Sequence, residues 1–180
     1  LLYQDKLDVI IIGRPEILQN DRCTTEVWNK EKLFLLIPPD HPHADAASTN
    51  YDNPPVADMS LFANENFALG EYSPAGRLPV TFYRTTEELP DFHDYSMNAS
   101  ITWEINNTQT LCQMVLDGIC LSVIPSYCIP RDLGLLVCQP SRPYYRYMLC
   151  IKRKGHTAAP EESSLLNMVY DHYVHFYEKG

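Results

Sequence analysis

The stretch Ile101–Tyr127, ITWEINNTQTLCQMVLDGICLSVIPSY, decides the fold, because it predicts a strand, a helix and a second strand in succession. Large and polar side chains alternate over Ile101–Ile105, the period-two pattern of a pleated strand. Asn106, Asn107 and Thr108 then supply side-chain oxygens that suit the capping of a helix start. We therefore expect the helix to begin directly after the first strand.

The second half of this stretch predicts the end of the helix and a buried strand. Apolar residues recur at helical spacing up to Gly118, a residue type that commonly ends a helix in the left-handed conformation. The apolar run Ile119–Ile124, stopped by Pro125, is typical of a buried parallel strand. The whole is a βαβ unit, and its helix begins at the carboxyl edge of a sheet, where open α/β sheets bind ligands.

Composition limits the classes of function. The 180 residues are enough for one domain or two small lobes, and the hydrophobic (45%) and charged (21%) fractions are ordinary for a folded protein. A net charge of −9 repels polyphosphate, so we do not expect this chain to grip nucleic acid by itself. No apolar run approaches the roughly 20 residues that span a bilayer, and no signal peptide is visible, so no membrane partner is expected.

The six cysteines do not predict a metal site, because none forms a C-x-x-C pair and no histidine cluster accompanies them. We expect buried free thiols in a reducing compartment, with a redox-sensing pair as the alternative. The cysteines on apolar segments are Cys112, Cys120, Cys138 and Cys150.

No motif predicts catalysis or a cofactor. We find no nucleophile–base pair at a suggestive spacing, no phosphate-binding loop and no metal motif. His41 precedes Pro42 in a turn, where a structural role is favoured over a catalytic or metal-binding one. The sequence therefore favours a binding protein over an enzyme.

Apolar segments outside the central unit predict further strands and one more helix. Pro160 suits the first turn of a terminal helix, with Leu165, Val169, Tyr173 and Phe176 on one face. The strands are expected at residues 7–12, 33–37, 67–69, 135–138 and 145–154.

Two proline-containing connections, near residues 45–65 and 139–144, indicate two lobes. Lobe I is predicted from 1–65 together with 143–180, and lobe II from 66–142. A chain that crosses to a second lobe and returns leaves a cleft between the lobes, and such clefts commonly bind ligands.

Five segments in series resemble one known family. They are Lys6–Ile11, Glu31–Pro42, Asn107–Leu111, Val115–Pro125 and Leu149–Gly155. In this order and spacing the chain resembles the effector-binding domain of LysR-type transcriptional regulators, over most of its length apart from roughly 43–100.

The resemblance implies an α/β fold of the periplasmic-binding-protein type II class, with two Rossmann-like lobes. It also implies a small effector between the lobes, and contact with DNA only through a separate helix-turn-helix domain. A cytoplasmic homodimer or homotetramer is expected. By the family's layout the DNA-binding helices and the opening strands and helix of lobe I are absent. Cys120 stands where the family usually has a second glycine.

The family's effector contacts are carried over by position, at the carboxyl ends of strands. The N–H groups near Thr108 and the helix dipole favour an anionic group, and Arg14 suits a carboxylate. The alternatives to effector contact are simple helix capping at Asn107 and Thr108, a solvated charge at Arg14 and packing in the wall of the cleft at Tyr72. The predicted contacts are Gly13, Arg14, Tyr72, Ser73, Asn106, Asn107, Thr108, Pro125 and Ser126.

A second function class remains open from the sequence. An extracytoplasmic solute-binding protein that delivers its ligand to a transporter has the same fold. A helix-turn-helix preceding Leu1 would exclude it, whereas a signal peptide or lipid-anchor cysteine there would favour it.

Overall fold

A computed structural model describes residues 7–14, 17–18, 20–62, 64–70, 100–105, 107–140 and 143–178. Its elements are, in chain order, β1 (Val9–Arg14), β2 (Cys23–Ile37), β3 (Val56–Ala57), β4 (Asn66–Gly70), β5 (Ser100–Ile105), α1 (Thr108–Leu116), β6 (Ser122–Pro125), β7 (Leu136–Pro140), β8 (Tyr144–Arg153) and α2 (Pro160–Glu178). Short 3-10 turns lie at Ala44–Ala46, Met59–Phe62 and Ser126–Cys128. None of the helices in these ranges is long and apolar enough to cross a membrane.

The chain divides into two compact units. Unit 1 comprises Leu1–Glu31 with Tyr145–Gly180, and unit 2 comprises Lys32–Tyr144. The division falls after Glu31 because the second half of β2 pairs with β6 and β7, both in unit 2. The assignment of effector-binding lobes to chain segments remains a prediction.

Unit 1 is built on β1, β8 and the first half of β2. Strand β1 pairs antiparallel with β8, from Val9 opposite Lys152 to Arg14 opposite Tyr147, and β8 in turn neighbours β2. Each face of these strands carries a small apolar cluster. One holds Leu149 and Ile151 with Ile10, Ile12, Leu18, Cys23 and Tyr147; the other holds Trp28, Cys150 and Leu166 with Val9 and Val169.

The inward side of helix α2, which belongs to unit 1, differs in part from the predicted face. Leu166 is buried in the cluster with Trp28, whereas Leu165 is 59% exposed. Of the predicted face, Val169 packs against this cluster and Leu165 does not, whereas the side chains of Tyr173 and Phe176 lie outside those that the structure describes. The predicted start at Pro160 is confirmed.

Unit 2 holds the larger apolar interior. The second half of β2 pairs antiparallel with β6 and with β7, and β7 pairs parallel with β3. Alternate residues of β2 enter two clusters: Leu33, Leu35 and Ile37 in one, Phe34 and Leu36 in the other. The fully apolar stretch predicted at 33–37 is confirmed as strand, with both of its faces covered.

Two strand predictions need correction. The run 119–124 was predicted as a parallel strand, but within it only Leu121 has a parallel partner, through its bridge to Phe67. The residues after Leu121 form β6, which pairs antiparallel with β2. Strand β2 also begins at Cys23, whereas the sequence indicated a strand only from Leu33. Its first half carries charged and hydroxyl side chains on partly exposed positions, so it lacks the apolar run that marked the second half.

Candidate functional site

Three segments of unit 2 end at the same edge. Strand β4 pairs parallel with β5, with Gly70 opposite Ile105, and Phe67 forms a parallel bridge to Leu121 just before β6. The three segments therefore run in one direction, and their carboxyl ends lie together. The predicted contacts that follow β5 and β6 are thus brought to one edge of unit 2.

The start of α1 supplies the polar groups at this edge. Asn107 has extended backbone angles (φ −111°, ψ 115°), and its side chain accepts a hydrogen bond from the Thr110 N–H at 3.0 Å. The predicted cap at Asn107 is confirmed, and both Asn107 and Thr108 are exposed. The first-turn N–H groups and the positive end of the helix dipole favour an anion at this position.

The segment that follows β6 begins one residue later than predicted. Pro125 belongs to the strand, opposite Leu33, and is buried. Ser126 is half-buried and begins a 3-10 turn. Of these two residues, Ser126 has the more accessible surface for a ligand.

The predicted loop at Gly13 and Arg14 is strand instead. Gly13 lies opposite Met148 and Arg14 opposite Tyr147, because β8 continues to Tyr144 and provides both with a pairing partner. The Nε of Arg14 is buried and has no hydrogen-bond partner in the described part of the chain. Both residues still lie at the carboxyl end of β1.

A buried ion pair beside Gly13 was missed from the sequence. The Nε of Arg146 donates a hydrogen bond to Oε2 of Glu31, and the two residues are only 5% and 1% exposed. A Cβ on Gly13 would lie 3.3 Å from three guanidinium atoms of Arg146, so this position leaves little room for a larger residue. The available signals were an arginine within an alternating strand and a glutamate shortly before a fully apolar run.

The remaining predicted contacts cannot be placed. Tyr72, Ser73 and Asn106 lie outside the described residues. The effector contacts as a set therefore remain a prediction, with Asn107, Thr108 and Ser126 together at one edge of unit 2.

A family model for the LysR substrate binding domain matches residues 1–173. The chain belongs to this family.

Solved LysR-family structures share the fold of this LysR domain. The Synechocystis PCC6803 CcmR regulatory domain in complex with 2-PG is 14% identical with a TM-score of 0.67, covering 94% of this chain and 74% of that one. The BenM effector binding domain with benzoate is 16% identical with a TM-score of 0.66, covering 99% and 73%. A domain of a probable LysR regulator from Rhodococcus sp. RHA1 is 14% identical with a TM-score of 0.64, covering 93% and 76%. The predicted fold class, periplasmic-binding-protein type II-like, is confirmed.

The LysR domain spans only part of two longer proteins. It covers 54% of full-length BenM, at 14% identity and a TM-score of 0.65. A xylan 1,4-beta-xylosidase of Xylanibacter ruminicola is 57% identical over 28 residues, which are 16% of this chain and 3% of that enzyme. So short a match carries neither a fold nor an activity over to the LysR domain.

Four cysteines of the LysR domain are buried free thiols, as predicted. They are Cys112, Cys120, Cys138 and Cys150. Burial raises the pKa of all four, that of Cys112 to about 11 and that of Cys138 to about 12. Because the thiolate is the reactive form, these four thiols are poor candidates for redox sensing.

His41 has the contacts of a structural residue. Its Nδ1 accepts a hydrogen bond from the His43 N–H at 3.1 Å, and its Nε2 lies 3.4 Å from Oε1 of Glu65. Its ring packs against Phe62 with 5.7 Å between the ring centroids. No three metal-binding side chains come together within the described ranges.

The described surface also has a groove in unit 1, away from the predicted contacts. Its volume is about 340 Å³, and it lies between the start of β1 and the first turns of α2. The lining residues are Asp8, Val9, Ile11, Glu162, Leu165 and Leu166.

Proposed function

We propose that this LysR domain is the ligand-sensing part of a bacterial transcriptional regulator and not an enzyme. A small effector binds between two lobes and changes how a separate helix-turn-helix domain engages DNA. The observation that carries the proposal is the family match over residues 1–173. Effector binding would act by a population shift, because the effector stabilises the conformation to which it binds more tightly.

We propose an anionic effector, with a carboxylate as the favoured group. The helix start at Asn107 and Thr108 offers N–H groups and a positive dipole end to an anion. Arg14, at the carboxyl end of β1, adds a guanidinium that is able to form a charge-assisted bond. CcmR with 2-PG and BenM with benzoate supply the first compounds to test.

The proposed partners follow from the same assignment of the chain to the sensing part of a regulator. The chain's net charge of −9 makes it a poor DNA ligand by itself, so DNA contact is assigned to the helix-turn-helix domain of the full-length protein. The regulator would act as a homodimer or homotetramer. The buried free thiols are consistent with a reducing cytoplasm.

The direct experiment is isothermal titration calorimetry on the full-length protein. Benzoate, 2-PG, amino acids and aromatic acids are titrated, and operator DNA affinity is measured with and without the compound that binds. We expect one anionic class to bind and to change the DNA affinity. Full-length protein that neither binds operator-like DNA nor oligomerises would overturn the regulator assignment.

A pair of arginine variants tests the site. Arg14→Met removes the guanidinium at β1, and we expect effector affinity to fall about tenfold or more, as for the loss of a charge-assisted hydrogen bond. Arg131→Met is the control, because Arg131 is an exposed residue of unit 2 that pairs with Asp52. Equal loss in both variants would point to a general charge effect and against a contact at Arg14.

A further inference from the structure

The groove in unit 1 between β1 and α2 has an acidic end and an apolar end. Asp8 and Glu162 both lie beside the ring of His156, so their carboxylates are together at one end of the groove. Beyond them the lining is aliphatic on both walls, with Val9 of β1 and Leu166 of α2 in one apolar cluster. The groove therefore changes from charged to apolar along its length.

The carboxylates at the acidic end are held by neighbouring side chains. Oε2 of Glu162 lies 2.8 Å from Nε2 of His156, and Oδ1 of Asp8 lies 3.6 Å from Nδ1 of the same ring. Nη2 of Arg153 donates a hydrogen bond to Oδ1 of Asp8 at 2.9 Å. Because a carboxylate accepts several hydrogen bonds, these contacts orient the two groups and leave acceptor capacity for a cation.

The apolar end has aliphatic side chains that are exposed to solvent. Leu165 is 59% exposed and Ile11 is 36% exposed, and both line the groove. Covering such side chains removes apolar surface from water, which favours the binding of an apolar chain. The volume of the groove, about 340 Å³, is at the small end of the roughly 300–1,000 Å³ range of ligand sites, so a short chain suits it.

The start of α2 favours a cation, in contrast to the start of α1. The first turn of α2 carries Glu161 and Glu162, which already place negative charge at the positive end of the helix dipole. The first turn of α1 has no acidic residue. The carboxylates of α2 repel an anion and attract an ammonium group, and the chain's net charge of −9 adds to this attraction.

We propose that this groove is a second ligand site, which binds a small cationic amphiphile such as a short alkylammonium. The ammonium group lies at the carboxylates of Asp8 and Glu162, and the alkyl chain lies along Ile11 and Leu165. This ligand is opposite in charge to the effector proposed for the edge of unit 2. The site goes beyond the proposed function and does not depend on it.

Nuclear magnetic resonance of methyl-labelled full-length protein tests the site with probes that share a six-carbon chain. Hexylammonium, hexan-1-ol and hexanoate differ in the charge of the head group. We expect hexylammonium to shift the methyl signals of Ile11 and Leu165 saturably, with a Kd on the order of 1 mM. Hexan-1-ol should bind about threefold more weakly, a modest difference because water and salt screen partly exposed charges, and hexanoate more weakly still.

Matched variants separate the groove carboxylate from a general effect of charge. Glu162→Gln should weaken hexylammonium about threefold and leave hexan-1-ol unchanged. Glu161→Gln should change neither, because Glu161 is exposed and is not among the described residues that line the groove. Leu165→Ser should weaken both probes, with Met168→Ser as its control at another exposed position of α2. Asp8→Asn takes the place of Glu162→Gln should the latter not fold.

Two results would overturn the proposal. One is the absence of a saturable shift at Ile11 and Leu165 up to the solubility limit of hexylammonium. The other is a lack of selection for the cation, seen as equal binding of hexylammonium and hexan-1-ol or as equal losses in the Glu161 and Glu162 variants. The measurements use neither effector nor DNA, so either result leaves the regulator assignment intact.

Discussion

The two units of the molecule are stabilised by different interactions. Unit 2 has two large apolar clusters on the faces of β2, and Ser122 is its buried polar residue among those described. Unit 1 has two small clusters, the buried pair of Glu31 and Arg146, and a second pair at 2.9 Å between Arg153 and Asp8. We therefore expect that substitutions that remove buried side-chain volume lower the free energy of unfolding most in unit 2. Substitutions that remove a charge should lower it most in unit 1.

The largest effect is expected from Phe62→Ala in unit 2. Phe62 is fully buried in the cluster around β2, and its removal leaves a cavity as well as losing the transfer free energy of the ring. We expect the free energy of unfolding to fall by about 4 kcal/mol, measured by urea denaturation. The neighbouring Leu61→Ala, at a 39% exposed residue, should cost well under half of that. Similar losses at both positions would contradict an apolar core centred on Phe62.

The matching experiment in unit 1 removes a charge and not volume. Arg146→Met removes the guanidinium that pairs with the buried Glu31 carboxylate and should cost about 3 kcal/mol. Adding Glu31→Gln should recover at least half of this loss, because the buried side chain at position 31 is then neutral. Urea denaturation of the two single variants and the double variant gives the coupling free energy. Additive losses would show that the two side chains act independently and that this unit is also stabilised mainly by packing.

The thiols of unit 2 should make its apolar interior sensitive to alkali. Burial raises the pKa of Cys138 from 9.0 to about 12, so the folded protein keeps the proton where the unfolded chain loses it. This contribution to stability is present below pH 9 and is lost as the pH rises toward 12. By linkage, the stability difference between pH 7 and pH 11 should shrink by about 3 kcal/mol in Cys138→Val. An identical pH dependence in both proteins would show that Cys138 does not titrate with the unfolding.

The same contrast explains which features were predictable from the sequence. The apolar run 33–37, the buried cysteines and the cap at Asn107 carry local patterns, and the structure confirms each of them. The first half of β2 carries no such pattern, because its charged and hydroxyl side chains occupy partly exposed positions. No strand was predicted there for that reason.

The candidate site divides in the same way. Asn107 and Ser126 were predicted as contacts because a cap and a strand end are local features of sequence. Glu31 and Arg146 were missed because they are 115 residues apart and meet only through the pairing of strands. Gly13 was taken for a loop residue because glycine commonly ends strands, and only the length of β8 shows that β1 continues.

A smaller effect is expected at the helix start in unit 2. Asn107→Ala removes the acceptor for the Thr110 N–H and should destabilise the protein by about 1 kcal/mol. Asn107→Asp keeps an acceptor and adds a negative charge at the positive end of the helix, so it should retain most of the stability. Thermal unfolding followed by circular dichroism measures both variants. If alanine is as stable as asparagine, the side-chain cap contributes nothing and a binding role for Asn107 gains weight.

The smallest effect is expected from the removal of an exposed charge, and it shows whether burial decides the cost of losing an ion pair. Arg131 and Asp52 in unit 2 lie 2.6 Å apart, but their side chains are 63% and 57% exposed. Water and salt screen such a pair, so Asp52→Asn should cost less than about 0.5 kcal/mol and still less at high salt. The comparison with Arg146→Met is direct, since each variant removes one partner of an arginine–carboxylate pair. A loss at Asp52 as large as that at Arg146 would mean that burial is not what distinguishes the two ion pairs.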